Sequence, residues 1–124
     1  MDKKDIKILL CDDSILARKS LKEILSNFNY TDIVEVADGQ TVIDTYKVLH
    51  PDIVFLDIVM PVKDGITAVK EIIEFDKNAC IVMVSSVGTQ THLKEAIKSG
   101  ARDFIQKPVD PEQLIQILNH CIGG

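Results

Sequence analysis

The chain alternates between two kinds of apolar pattern. Short continuous runs rich in Ile and Val occupy Ile6–Cys11, Ile33–Ala37, Ile53–Leu56, Cys80–Val84 and Phe104–Ile105. Runs that are continuous rather than alternating predict strands buried on both faces. Between them apolar residues return at helical spacing: Ile15, Leu16, Leu21, Ile24, Leu25 and Phe28, then Val42, Ile43, Tyr46 and Leu49, then Ile66, Val69, Ile72 and Ile73. Leu93, Ala96 and Ile97 form a fourth set and Leu114, Ile115, Leu118 and Ile122 a fifth. Each set predicts a helix with one apolar stripe.

The punctuation fits this parse. Ser14 can cap the first helix, His50-Pro51 ends the second, Gly100 closes the fourth, and Pro111 suits the first turn of the fifth. The order is therefore (βα)5. Strands alternating with helices require an α/β architecture: a parallel sheet, right-handed crossovers and helices on both faces. For five strands the common doubly wound order is 2-1-3-4-5.

Composition narrows the class. The length of 124 residues suits a single domain over 1–124, and 46% hydrophobic with 27% charged residues is ordinary for a folded globular chain. Nineteen acidic against 14 basic residues leave a net charge of −5 with no basic block, which argues against a nucleic-acid partner. Ile6–Cys11 is too short for a signal sequence, and no run approaches the roughly 18 apolar residues of a membrane span, so a cytoplasmic location without membrane association is expected. Cys11, Cys80 and Cys121 are an odd, dispersed set that reads as small core residues in a reducing compartment.

One stretch resists a purely structural account. From Ile53 to Val62 nine of ten residues are apolar, and the exception is Asp57. An unpaired carboxylate is expensive to bury, so Asp57 needs a partner. In a doubly wound sheet ligands bind beyond the C-terminal edge, where the first and third strands lie side by side. Asp12 and Asp13 end the first strand, Asp57 the third, Ser85 the fourth and Lys107 the fifth. Taken singly, Asp12-Asp13-Ser14 is also a helix-cap cluster, Ser85 a loop serine and Lys107 a surface lysine. Taken together, three carboxylates must bind protons, a cation or both, and hard oxygen ligands suit Mg²⁺. A carboxylate can also attack phosphorus to form an aspartyl phosphate. Mg²⁺, Lys107 and Ser85 would then offset charge on the transferring oxygens.

These motifs, with Met60-Pro61 and Asp64-Gly65 after Asp57 and Pro108 after Lys107, resemble the receiver domain of two-component response regulators, the CheY-like family on a flavodoxin-like sheet. The likeness runs from Ile6 to Ile122. It implies that Asp57 is the phosphoacceptor, served by a histidine kinase, a phosphotransfer protein or a small phosphodonor. It implies that Asp13, Asp57 and the Val59 main-chain carbonyl contact Mg²⁺, with Asp12 acting mainly through water. It also implies that Ser85 and Lys107 hold the phosphoryl group, that the Lys107–Pro108 bond is cis, and that Ser85 and Phe104 form a switch. The switch would alter a face made by the fourth helix, fifth strand and fifth helix, where a downstream protein docks.

Several positions depart from the family pattern. Phe104 lacks the hydroxyl of the commoner aromatic there, so the switch would work by packing alone; plain core packing also explains this residue. Val59 and Val87 are apolar where polar groups influence phosphate lifetime, and both are expected to slow self-dephosphorylation. Exposed positions His92, Lys94, Lys98 and Arg102 suit docking and equally a solvated helix.

The expected role is a monomeric signalling switch rather than an enzyme acting on other substrates. A chemotaxis setting with a flagellar-switch target is the natural one for a lone receiver; a phosphorelay intermediate or a receiver cut from a longer regulator is the alternative. A Mg²⁺-dependent aspartyl-phosphate phosphatase is a second class, but Val59 stands where an acid/base would be needed. A flavodoxin-like electron carrier is a third, disfavoured because "CDDS" is acidic and would repel a flavin phosphate.

Overall fold

The computed structural model describes residues 2–86 and 90–122. After a short 3-10 turn at Lys3–Asp5, five strands and five helices alternate: β1 (Lys7–Cys11), α1 (Ile15–Asn27), β2 (Asp32–Val36), α2 (Gly39–Leu49), β3 (Ile53–Leu56), α3 (Gly65–Phe75), β4 (Ile81–Ser85), α4 (Gln90–Ser99), β5 (Asp103–Gln106) and α5 (Pro111–Ile122). All pairings are parallel, and the strand order is β2-β1-β3-β4-β5, as the doubly wound expectation requires.

Successive residues of each strand feed opposite faces of the sheet. Leu9, Cys11, Val54, Leu56, Ile81 and Met83 join Val42, Ile43, Tyr46, Ile66, Val69, Ile72 and Ala96 in one core, beneath α2, α3 and α4. Ile8, Leu10, Ile53, Phe55, Val82, Val84 and Ile105 join Leu21, Leu25, Leu114, Ile115 and Leu118 in the other, beneath α1 and α5. This double coverage explains why β1, β3 and β4 are apolar without alternation. Edge strand β2 is only half-buried along its length. Each fully buried Leu or Ile contributes roughly 1.5–3 kcal/mol of burial.

The expected ends of α1 and α2 are present at Ser14 and His50, and two further caps join them. Ser14 accepts from the Ala17 amide through its hydroxyl, Asp38 and Asp64 cap α2 and α3 in the same way, and His50 ends α2 in the left-handed region. Gly100, at φ +122, follows α4 with Ile73 packed where a β-carbon would stand. Cys11 and Cys80 are buried, Cys121 is half-buried, and all three are free thiols.

Two helical stripes need correction. Ile15 and Leu16 are 72% and 77% exposed. At about 100° per residue they lie on the side of α1 away from Leu21 and Leu25, so helical spacing does not place them in the stripe. In α4 only Ala96 is buried, while Leu93 and Ile97 stay at the surface on either side of it. Among the described residues no helix is long and apolar enough to cross a membrane.

Candidate functional site

The register of β1 and β3 builds the site. Cys11 pairs with Leu56, so the next residues, Asp12 and Asp57, emerge side by side at the C-terminal edge. The Asp57 amide donates to the Cys11 carbonyl at 3.0 Å, which holds the two strand ends together. Asp12, Asp57 and Ser85 are the buried polar or charged residues of the described chain, at 2%, 8% and 1% exposure. Asp13, one residue further on, is exposed, yet carboxylate oxygens of Asp12, Asp13 and Asp57 all lie within 4.8 Å of one another.

The partner that Asp57 requires is Lys107. Its ammonium lies 2.5 Å from Asp12 Oδ2 and 3.5 Å from Asp57 Oδ2. The lysine follows β5 immediately, its amide donates to the Ser85 carbonyl at 3.0 Å, and its bond to Pro108 is cis, as the family resemblance implies. Burial alone would lower the Lys107 pKa; the hydrogen bond that its ammonium donates to Asp12 and the charges of both carboxylates outweigh it and raise the value. The lysine therefore stays charged at neutral pH.

Asp12 Oδ1 accepts from the Ser14 amide at 2.9 Å, and Asp57 Oδ1 from the Val59 amide at 3.4 Å. These bonds aim one oxygen of each carboxylate and leave Asp13 without a hydrogen bond or ion pair among the described residues. The donor set is all oxygen, clustered and partly open to solvent, which fits a hard divalent cation with remaining water ligands.

The loop after Asp57 is tightly braced. A β-carbon on Gly65 would collide with the Asp57 carbonyl, and one on Gly39 with the Lys63 carbonyl, so α3 and α2 can start against this loop only with glycine at those positions. Beneath it the Cys11 thiol meets the Met60 sulfur at 3.0 Å. Burial, then the charges of Asp38, Asp12 and Asp57, pushes the Cys11 thiol pKa up, so it is inert as a nucleophile.

The other expected positions fall as follows. Val59 is 59% exposed at the mouth of the site. Phe104 is half-buried on β5 and packs against the core beneath α2, α3 and α4. His92 is half-buried rather than exposed, whereas Lys94, Lys98 and Arg102 are exposed. Val87 lies outside the described residues.

The response regulator receiver domain family matches residues 8–119. The chain belongs to that family. A receiver of this kind is a phosphorylatable signalling switch, and it is not a classical enzyme. Its relatives include the chemotaxis protein CheY of Thermotoga maritima, 42% identical over 91% of this chain and 94% of that protein. CheY of Bacillus subtilis is 39% identical over 94% of this chain and 98% of that one. Among solved structures, the CheX-CheY-BeF3-Mg²⁺ complex from Borrelia burgdorferi superposes with a TM-score of 0.86 at 37% identity, covering 93% of this receiver and 87% of that chain.

Sequence reasoning missed one member of the receiver's site. Arg18 donates to the Asp12 main-chain carbonyl at 2.5 Å and pairs with Glu35 at 3.3 Å. A cation in the opening turns of a helix opposes the helix dipole, and that conflict was the available signal.

Proposed function

We propose that this receiver accepts a phosphoryl group on Asp57 from the phosphohistidine of a kinase or phosphotransfer protein, and passes the signal to a downstream protein through its α4-β5-α5 face. The observation that carries the reading is the clustering of three carboxylates within 4.8 Å, faced by the Lys107 ammonium. The similarity to chemotaxis CheY proteins favours a chemotaxis setting with a flagellar-switch target and a cytoplasmic, monomeric protein.

Asp13, Asp57 and the Val59 carbonyl would hold Mg²⁺, with Asp12 acting through water; when bound, the ion supplies positive charge to the transferring phosphoryl oxygens. The relative crystallised with BeF3 and Mg²⁺ supports the choice of ion. A carboxylate oxygen of Asp57 attacks phosphorus, the P–N bond breaks, and its electron pair returns to the imidazole nitrogen. Lys107, held between Asp12 and Asp57, then pairs with the new phosphoryl oxygens, and the Ser85 hydroxyl donates to another. As Ser85 turns toward the phosphoryl group, the Phe104 ring moves inward, and this packing change biases the output face.

Incubation with Mg²⁺ and acetyl phosphate or a phosphoramidate, followed by intact mass, tests the reading. Wild type should gain one phosphoryl group, and Asp57→Asn none. Phosphate retained by the variant would remove Asp57 from its role.

A further inference from the structure

We infer that Arg18 is a positioning residue for the metal site, acting through the Asp12–Asp13 peptide; the inference rests on the metal assignment above. Arg18 lies one turn into α1, with its amide donating to the Ser14 carbonyl at 3.1 Å. Side chains on a helix lean toward its N-terminus, which carries the guanidinium back to the end of β1. There Nη1 donates to the Asp12 carbonyl at 2.5 Å while Nε pairs with Glu35 of β2 at 3.3 Å. The arginine side chain is only 15% exposed, and Lys22, one turn later, holds Glu35 from the other side at 3.6 Å.

The carbonyl that Arg18 grips belongs to the peptide joining the two aspartates. The remaining polar groups of Asp12 are also engaged: its amide donates to Val36, and its carboxylate oxygens accept from Ser14 and Lys107. Asp13 has no such tether, so the Asp12–Asp13 peptide plane governs where its carboxylate can reach. Arg18 sets that plane and ties it to β2. Outer partners of this kind typically change metal affinity by about 10–100-fold when removed.

Charge alone makes the opposite prediction. A guanidinium beside a cation site repels the cation, so its loss by itself would tighten binding. Arg18→Ala therefore separates positioning from charge. Mg²⁺ titrations followed by amide NMR, with spectra without metal as the folding control, should show the dissociation constant of Arg18→Ala raised about tenfold. Arg18→Lys, which keeps the charge and N–H donors but loses the planar fork, should fall between Arg18→Ala and wild type. Glu35→Gln, which loosens the grip without touching Asp12, should weaken binding by a smaller factor. Binding in Arg18→Ala that is tighter than wild type or within twofold of it, or no recovery in Arg18→Lys, would overturn the inference. Asp13→Asn, titrated in parallel, tests the site itself: unchanged affinity there would sink the metal assignment, whereas lost affinity there with an unchanged Arg18→Ala would sink only the role of Arg18.

Discussion

Replacing Asp13 by Asn should make the protein more stable without metal and less stable with it. Oxygens of Asp13 and its two acidic neighbours lie within 4.8 Å. At that separation two unit charges repel by about 1 kcal/mol in watery surroundings and by about 3–4 kcal/mol at an effective dielectric constant near 20. Lys107 offsets Asp12 and Asp57, at 2.5 and 3.5 Å, but makes no pair with Asp13. Asp13 is exposed, which favours the lower figure, so neutralising it should stabilise the metal-free protein by about 1 kcal/mol, or roughly 3–5 °C in Tm. In Mg²⁺ at a hundred times its dissociation constant, wild type should gain about 2.7 kcal/mol and the variant far less. The order of stabilities therefore reverses between chelator and saturating Mg²⁺. Urea unfolding in both buffers measures it. A variant less stable than wild type in chelator, or one that gains as much from Mg²⁺, would refute the reasoning.

Two further outcomes follow from the loop beside Asp57. Val62 has φ +69, and the Lys63 amide donates to the Pro61 carbonyl at 2.8 Å, a tight turn in a region that a β-branched residue resists by about 1–2 kcal/mol. Asn tolerates this conformation and Val62 is 78% exposed, so Val62→Asn should raise the urea midpoint by the equivalent of about 1 kcal/mol with an unchanged slope; a lower midpoint would contradict the strain. Val59 opens onto the site at 59% exposure and offers no side-chain polar group to an attacking water. Val59→Asn should shorten the phosphoryl lifetime about fivefold, the effect of one modest hydrogen bond, in a decay assay after donor removal; an unchanged rate would remove Val59 as a determinant.

Much of the fold is legible in the chain because its signals are local. Continuous Ile/Val runs mark strands covered on both sides, and helix ends are marked by Ser14 through its capping hydroxyl and by Gly100 and Pro111 through their backbone preferences. Apolar character is less decisive near a helix end: Ile15 and Leu16 are apolar yet exposed, because they lie off the stripe of Leu21 and Leu25. The site was legible for a different reason. Asp57 contradicts the apolar run that contains it, and such a contradiction calls for a chemical explanation.

The sequence by itself determined the alternation of strands and helices, the residues at the strand ends, and the need of three gathered carboxylates for protons, a cation or both. Those follow from periodicity, from the burial of apolar runs and from like-charge repulsion. Only the tertiary structure decided that Lys107 lies nearer Asp12 than Asp57, that Val62 adopts a left-handed conformation, and that Arg18, paired with Glu35, holds the Asp12 carbonyl. These depend on the register between strands and the seating of α1 on the sheet, where residues distant in sequence meet and no local pattern records which atoms touch.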